Sequence, residues 1–308
     1  MKHCDILLRV VFRCLKGVIN SSLIRCLLGL ISNAALASAS LAGEKPPKSP
    51  LLESIRVPIE FNAFPASKWA PTSIDPDARH DRIPFNIKLK PAIPFPLNQD
   101  WTLLTYTVLR FSSIPWGSLG VEYSTDGIPF TSWTQDNRFG LAVVNPTAVF
   151  VPHLSRDFVI GIGPSVSAPV GKTPLSDRIW TIGPAVFVSW KTGPWRLGAR
   201  IQNMFSFAGD EANDNVNLFI IRGKFVYQLH KDWFLVSAPI ITNDWNHPDG
   251  KGWMLPVGGG IGRIFQLGQS RASFSIQAYY NLLQPASLGE QLTGDWSVRT
   301  DLNFMIPK

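Results

Sequence analysis

Histidine is the side chain most often used for proton transfer near neutral pH, so the histidines beyond residue 39 are the first candidates for catalysis. They are His80, His153, His230 and His247, each in a stretch of turn residues. None has a second histidine at a metal-binding spacing, and no serine lies in a nucleophile-elbow motif. We therefore predict no catalytic residue, no metal site and no enzymatic activity.

A glycine-rich run at residues 257–263, with the sequence VGGGIGR, has some likeness to a phosphate-binding loop. It lacks the Lys-Ser/Thr pair of such loops, and no helical pattern follows it. It lies in a predicted strand, where glycine relieves crowding or permits a bend. Two loops offer oxygen atoms without the spacing of a calcium-binding loop: Asp210, Glu211 and Asp214, and Asp244, Asn246 and Asp249. We interpret these as solvated loop residues, and we predict no cofactor.

Basic residues occupy the polar face of the predicted strands. Asp301 is the clear acid on that face, and the basic residues are Lys88, Lys90, Arg110, Arg196, Arg200, Arg222, Lys224 and Arg299. If this face lines a water-filled space, its positive potential favours anions or acidic organic solutes. The alternative is that loop acids such as Glu122, Asp126 and Asp210 fold inward and pair with the basic side chains. The sequence leaves both interpretations open.

The elements that carry these residues are strands. From about residue 84 onward, apolar or aromatic side chains occupy every second position until a break of turn residues, and a period of two predicts β-structure. The predicted strands are 52–62, 84–95, 101–111, 138–151, 157–169, 178–190, 195–208, 217–229, 233–241, 253–265, 271–282 and 295–306. The first strand is the least regular, because Pro58 interrupts its alternation.

The connections between these strands alternate in length. Short turns occur at 96–100, 152–156, 191–194, 230–232 and 266–270, and longer polar breaks occur at 63–83, 112–137, 170–177, 209–216, 242–252 and 283–294. Transmembrane barrels have short periplasmic turns, longer outer loops, an even strand number and both termini on one side. The sequence therefore predicts an all-β fold, a transmembrane antiparallel β-barrel of twelve strands.

A soluble β-sandwich or a lipocalin-like barrel shows the same alternation, so two further features decide between them. Predicted strands of about 12 residues match a tilted crossing of a bilayer, whereas strands of soluble proteins average about 5–6 residues. Tryptophans open four strands, where interfacial aromatic residues are expected: Trp101, Trp195, Trp233 and Trp296. Both features favour a barrel in contact with outer-membrane lipid.

The N-terminal segment has the order of a secretory signal peptide. Five basic residues precede an apolar stretch from Cys26 to Leu36, and the small residues at 37–39 follow it. We predict a signal peptide at 1–39 and a barrel at 40–308. Cleavage removes all three cysteines and lowers the net charge from +7 to about +3, because five bases and one acid are lost. The basic charge thus belongs largely to the signal, and we predict no nucleic-acid binding.

Four segments have a recognisable combination of residues: 87–101 (IKLKPAIPFPLNQDW), 182–185 (IGPA), 191–198 (KTGPWRLG) and 304–308 (FMIPK). Together they resemble a bacterial family of outer-membrane transporter-like proteins, often mislabelled neuromedin U. That family is related to the MetA-pathway phenol-degradation proteins. The resemblance implies an outer-membrane barrel of a Gram-negative bacterium with a role in the passage of small molecules. It supplies no catalytic residues, and the break at 112–137 fits the family pattern poorly.

These observations predict a porin-like channel or facilitator in the cell outer membrane. It would let a small anionic or aromatic solute pass down its gradient, and its insertion would depend on the barrel-assembly machinery. One alternative is a closed barrel with a structural or surface-interaction role, exerted through the loops at 112–137 and 242–252. A less favoured alternative is an outer-membrane hydrolase assembled from residues distant in sequence.

Overall fold

The structure is a computed structural model that describes residues 49–67, 83–123, 126, 128–172, 175–176, 178–209, 215–247, 250–285 and 294–307. All of them belong to one compact unit, Lys48–Lys308. The signal peptide predicted at 1–39 lies outside the described residues. Within these ranges, no helix is both long enough and apolar enough to cross a membrane.

The strands form one antiparallel sheet that closes on itself. Its segments are β1 (Ser54–Ala63), β2 (Phe85–Leu89), β3 (Ala92–Pro96), β4 (Trp101–Tyr123), β5 (Pro129–Pro152), β6 (Phe158–Pro169), β7 (Ile179–Thr192), β8 (Trp195–Gly209), β9 (Asn217–Gln228), β10 (Trp233–Ser237), β11 (Ile240–Asp244), β12 (Trp253–Leu267), β13 (Ser270–Leu283) and β14 (Trp296–Pro307). Both β2 and β3 lie between β1 and β4, and both β10 and β11 lie between β9 and β12, so each pair is one interrupted strand. Pairing of β1 with β14 closes a barrel of twelve strands in the described ranges. The predicted all-β barrel and its strand number are confirmed.

The connections at one end of the barrel are short, at 97–100, 153–157, 193–194, 229–232 and 268–269. The two-residue turns use glycine, since Gly193 has a φ of 53° and Gly268 a φ of 59°, values that a side chain disfavours. In outer-membrane barrels the short turns face the periplasm, and this end is called the periplasmic end below. Both chain ends of the barrel, at β1 and β14, lie there.

The prediction of a long loop at 112–137 is wrong. The backbone continues as two paired strands, and the β4–β5 hairpin is bonded from Trp101–Pro152 through to Tyr123–Pro129. Pairing of β4 with β2 ends at Ser113, and pairing of β5 with β6 begins at Val143, so the outer part of the hairpin pairs with no third strand of the described ranges. Its sequence lacks the regular apolar alternation from which strands are predicted, which is why the sequence pattern missed it.

The alternation of side chains separates an apolar outer surface from a polar interior. On β12 and β13 the exposed side chains include Ile261, Phe265, Phe274 and Ile276, each 41% to 50% exposed, and the intervening positions face inward. Large apolar side chains of this kind lie exposed around the barrel, which a soluble barrel does not tolerate over so large an area. The outer surface is therefore the lipid-facing surface of a membrane barrel.

The apolar core lies inside the barrel at its periplasmic end. It consists of the buried side chains Leu52, Leu104, Val149, Val151, Val159 and Ala185, with Leu51 and Phe187 packed against them. All but the two leucines at 51 and 52 come from β4 to β7. The two leucines precede β1 in a turn in which the N–H of Leu52 donates to the carbonyl of Ser49 at 2.8 Å. The segment 49–53 thus packs inside this end of the barrel.

Candidate functional site in the barrel lumen

A buried carboxylate on β1 is the centre of the first polar cluster of the lumen. Glu60 is 3% exposed, and its Oε1 and Oε2 lie 3.0 Å from Lys88 Nζ and 2.5 Å from Lys90 Nζ. Arg299 Nε lies 3.9 Å from Oε1, and Asn62 Nδ2 donates to Oε1 at 2.8 Å. Several cations around one acid offset its loss of hydration, as a buried charge requires. Three of the predicted basic residues are therefore partners of Glu60.

Arg299 connects this acidic centre to an interruption in the barrel wall. Its Nε donates to Asn62 Oδ1 at 2.7 Å, and its Nη1 donates to the carbonyl of Ala238, which lies between β10 and β11. The N–H of Ala238 in turn donates to the hydroxyl of Tyr279 at 2.6 Å. That hydroxyl donates to Gln277 Oε1 at 2.6 Å, so each polar group here has a partner.

The backbone pairing of the barrel wall is interrupted between β10 and β11. β10 pairs with β12 as far as Val236–Gly260, and β11 resumes pairing with β12 only at Thr242–Met254. Between these points Ser237 Oγ donates to the carbonyl of Gly258 at 2.7 Å. Pro239 explains the interruption, because proline has no N–H for the ladder and its ring prevents regular pairing.

A small cavity and an open groove lie on the two sides of this wall segment. The inner cavity of about 20 Å³ holds no more than a water molecule and is lined in part by Lys224, Val236, Ala238 and Asp301. The outer groove of about 470 Å³ is apolar and is lined by Trp195, Phe225, Tyr227, Leu235, Val236, Ser237, Gly259 and Gly260. The cavity on the lumen side is thus far smaller than the groove on the outer side.

An arginine pair forms the second polar cluster. Arg200 on β8 lies directly opposite Arg222 on β9, and Arg222 Nη1 donates to Gln202 Oε1 at 2.6 Å. The guanidinium carbon of Arg200 lies 4.1 Å from the centre of the Tyr106 ring. Arg200 is 6% exposed, and neither Nη1 nor Nη2 has a hydrogen-bond partner. The two terminal nitrogens of this buried guanidinium thus have no acceptor among the described residues.

Neutral polar side chains extend from the arginine pair across β5 to β8. Gln202 Nε2 donates to Ser165 Oγ at 2.6 Å, and the hydroxyls of Ser165 and Thr147 lie 2.8 Å apart. Asn145 Nδ2 also donates to Ser165 Oγ at 3.0 Å. These groups form hydrogen bonds with one another and hold Gln202 in place. The amide oxygen of Gln202 therefore points toward Arg222.

The remaining predicted basic residues occupy different environments. Lys224 lines the inner cavity with Asp301, Arg196 is exposed near the periplasmic end, and Arg110 lies opposite Lys88 on β4. Asp301 lines the inner cavity and its Oδ1 has no hydrogen-bond partner, whereas Glu60, which the alternation did not single out, contacts three cations.

The alternative in which loop acids pair with the inward basic side chains can be followed at one of its three residues. Asp126 is exposed, and the Glu122 side chain and Asp210 lie outside the described residues. Lys88, Lys90 and Arg299 take their acid partner from a strand, through Glu60. Strand acids are held in register by the backbone ladder, which positions them more firmly than a loop would.

Sequence reasoning missed Glu60, Tyr106 and Tyr279. Glu60 shares the inward parity of β1 with Asn62, and it was overlooked because Pro58 weakened the alternation of that strand. Tyr106 and Tyr279 face inward on strands that were predicted correctly. Tyr106 contacts Arg200, and Tyr279 contacts Arg299. The sequence did not reveal these contacts, because each joins residues far apart in the sequence. Parity alone reveals which residues face inward, and it does not reveal which of them meet.

The four predicted interfacial tryptophans lie exposed at strand starts. Trp101, Trp195 and Trp233 are 38% to 44% exposed at the periplasmic end, and Trp296 is 51% exposed at the other end. Trp195 packs on Tyr227 with ring centres 4.8 Å apart, and Trp296 packs on Tyr280 at 5.0 Å. Exposed aromatic pairs at both ends have the placement that membrane interfaces favour.

His153 holds two turns together through hydrogen bonds of both its ring nitrogens. His153 Nε2 lies 2.8 Å from Thr102 Oγ1, and its Nδ1 lies 2.7 Å from the carbonyl of Gln99. These contacts tie the periplasmic turns 97–100 and 153–157 together. In the same described part of the chain, no three His, Cys, Asp or Glu side chains are grouped so that they could hold a metal ion.

Comparison with solved structures identifies the fold class of this chain. No family model and no curated protein sequence matches the chain. Among solved structures, the COG4313 outer membrane channel from Pseudomonas putida F1 is similar with a TM-score of 0.53 at 11% identity, covering 86% of this chain and 98% of that one. Weaker matches are the CymD monoaromatic hydrocarbon channel (TM-score 0.43, 8% identity, 84% of this chain and 91% of that one) and the outer membrane phospholipase A from Escherichia coli (0.43, 13%, 82% and 90%). This chain therefore has the fold of an outer-membrane β-barrel.

Proposed function

We propose that this protein is an outer-membrane channel or facilitator through which a small organic anion passes down its gradient. The observation that carries the proposal is the excess of positive charge inside the barrel. Glu60 is shared by Lys88, Lys90 and Arg299, and Arg200 and Arg222 have no carboxylate within 4 Å among the described residues. A positive lumen with low-dielectric walls raises the local concentration of anions.

The dimensions of the lumen restrict the solute to small molecules. Glu60 and Arg299 are both buried, and the cavity on the lumen side of the wall segment 236–238 is about 20 Å³. Passage therefore requires small movements of side chains, as in a selective facilitator, and a wide aqueous pore is not supported. The similarity to an outer membrane channel fits this proposal, as does the sequence resemblance to the transporter-like family related to MetA-pathway proteins.

A closed barrel with a surface-interaction role is the second candidate. It is favoured by the closure of the periplasmic end, where Leu51 and Leu52 pack on the apolar cluster. The projecting β4–β5 hairpin would then be the contact surface, since its outer part lies beyond the neighbouring strands. A hydrolase remains the least supported candidate, because no acid-base or nucleophile set is apparent among the lumen contacts described above.

Flux into liposomes tests the proposal directly. The mature chain is refolded into liposomes, and uptake of radiolabelled benzoate is compared with uptake of benzyl alcohol and with passage through empty liposomes. A channel for organic anions gives protein-dependent benzoate uptake that is at least several-fold faster than the empty-liposome rate. Benzoate uptake equal to that of empty liposomes, with the barrel shown to be folded, overturns the channel and supports the closed barrel.

A further inference from the structure

The most exceptional side chain in the lumen is Arg200. It is 6% exposed, yet Nη1 and Nη2 have no hydrogen-bond partner, and no carboxylate of the described residues lies within 4 Å of its nitrogens. A buried guanidinium without an acceptor is costly, because the loss of its hydration is not offset. An acceptor that enters the lumen would remove this cost.

Arg222, the neighbour of Arg200 on β9, adds a second positive charge that an anion would offset. Arg222 lies directly opposite Arg200 in the ladder, so two positive groups face the same part of the lumen. Arg222 Nη1 donates to the amide oxygen of Gln202 at 2.6 Å. Because that oxygen is neutral, this hydrogen bond does not supply a counterion for the positive charge of Arg222. An oxyanion between the two guanidinium groups would interact favourably with both and reduce their mutual repulsion.

The arrangement of Arg200 is fitted to a planar oxyanion. Its guanidinium lies over the Tyr106 ring at 4.1 Å, and this contact leaves the edge that carries Nη1 and Nη2 without a protein acceptor. Those two nitrogens form the fork that binds both oxygens of a carboxylate. Tyr106 comes from β4 and Arg200 from β8, so the contact reaches across the lumen between strands that do not pair.

We propose that Arg200, Arg222 and Tyr106 form a binding site inside the lumen for a small monocarboxylate, held side-on by the Nη1 and Nη2 atoms of Arg200. This rests on the proposed function and names its substrate class. Gln202 acts as a positioning residue, since it is itself held by Ser165 at 2.6 Å and orients Arg222. Glu60 does not occupy the site, because its two oxygens are taken by Lys88 and Lys90.

Equilibrium binding tests the site without requiring transport. The refolded mature chain in detergent is titrated calorimetrically with sodium benzoate in a buffer free of carboxylate and phosphate. We expect saturable binding to the unaltered chain, a loss of at least tenfold in affinity for Arg200→Gln, and a smaller loss for Arg200→Lys, which keeps the charge and removes the fork. Arg156→Gln, in an exposed periplasmic turn, should bind as the unaltered chain does.

The outcomes separate this site from the channel. Heat-modifiable gel migration first shows that each variant is folded. Absence of saturable binding, or equal affinity in Arg200→Gln and the unaltered chain, overturns the site. Displacement of benzoate by inorganic phosphate as effectively as by acetate overturns the carboxylate assignment. Benzoate binding without liposome flux supports the site and overturns the channel, whereas flux without binding overturns only the site.

Discussion

At the scale of single residues, the lumen depends on a few charges whose partners are fixed by the strands. Glu60 neutralises cations from β2 and β14 and from the short link after β2. Alternation in the sequence identified those cations, because parity in a strand is a local property. It did not identify Glu60 as their shared partner, because that depends on register between strands far apart in sequence.

Glu60→Gln should destabilise the barrel. The variant leaves Lys88, Lys90 and Arg299 as buried cations without a counterion, which costs about 3–5 kcal/mol when one partner of a buried pair is removed. The measurement is the urea midpoint of unfolding in lipid vesicles. Glu53→Gln, which alters an exposed acid nearby, is the control and should leave the midpoint unchanged. Equal midpoints for the two variants would show that the cluster contributes nothing.

Tyr279→Phe should loosen the wall beside Ala238. Without the hydroxyl, the Ala238 N–H and Gln277 Oε1 both lose a partner, at a cost of about 1–3 kcal/mol for each unsatisfied buried group. Tyr280→Phe is the matched control, because the neighbouring tyrosine is exposed and packs on Trp296 through its ring. Amide hydrogen exchange at 237–241 should speed up in the first variant alone. Exchange unchanged in both would contradict the role assigned to Tyr279.

At the scale of elements, the segment 49–53 and the β4–β5 hairpin are the parts that sequence patterns described least well. The first was predicted as part of a strand from residue 52, but Leu52 instead belongs to a turn packed inside the barrel end. The second was predicted as a loop, because serine, proline and glycine at 112–117 resemble turn residues. Neither segment has the regular apolar alternation from which the other strands were predicted.

Leu52→Asp should open the periplasmic end. A carboxylate placed among Leu104, Val149 and Val151 loses apolar contact and cannot be hydrated there, so the segment should leave the lumen. We expect a several-fold rise in single-channel conductance, measured in a planar bilayer. Leu97→Asp, at an exposed position in a periplasmic turn, is the control and should not change conductance. An unchanged conductance in Leu52→Asp would mean that the segment does not close the lumen.

Removal of residues 115–137, with Ile114 joined to Arg138 through Asn-Gly, should leave the barrel folded. Ile114 and Arg138 already pair, and within the described part of the chain the outer part of the hairpin has backbone pairing with no third strand. The expected result is unaltered heat-modifiable migration on a gel. A shortened chain that migrates as unfolded would show that the hairpin is needed for the fold.

At the scale of the whole molecule, the sequence was sufficient to predict the twelve-stranded barrel and the short turns that join strands at one end of it. Strand length, alternation and the unequal connections all derive from the bilayer, and the bilayer imposes them on every strand alike. The same regularity says nothing about the solute, because selectivity depends on the few inward side chains that meet across the lumen, such as Arg200 and Tyr106.

The central claim is that the barrel is an anion-preferring passage, and the reversal potential tests it most directly. The purified mature chain is inserted into a planar bilayer that separates two concentrations of potassium chloride, and the voltage of zero current is read. An anion-preferring barrel gives discrete conductance steps with a reversal potential of the sign expected for anions. The double substitution Arg200→Glu with Arg222→Glu should abolish or reverse that preference. A cation-preferring reversal potential, or a folded barrel without conductance, would contradict it.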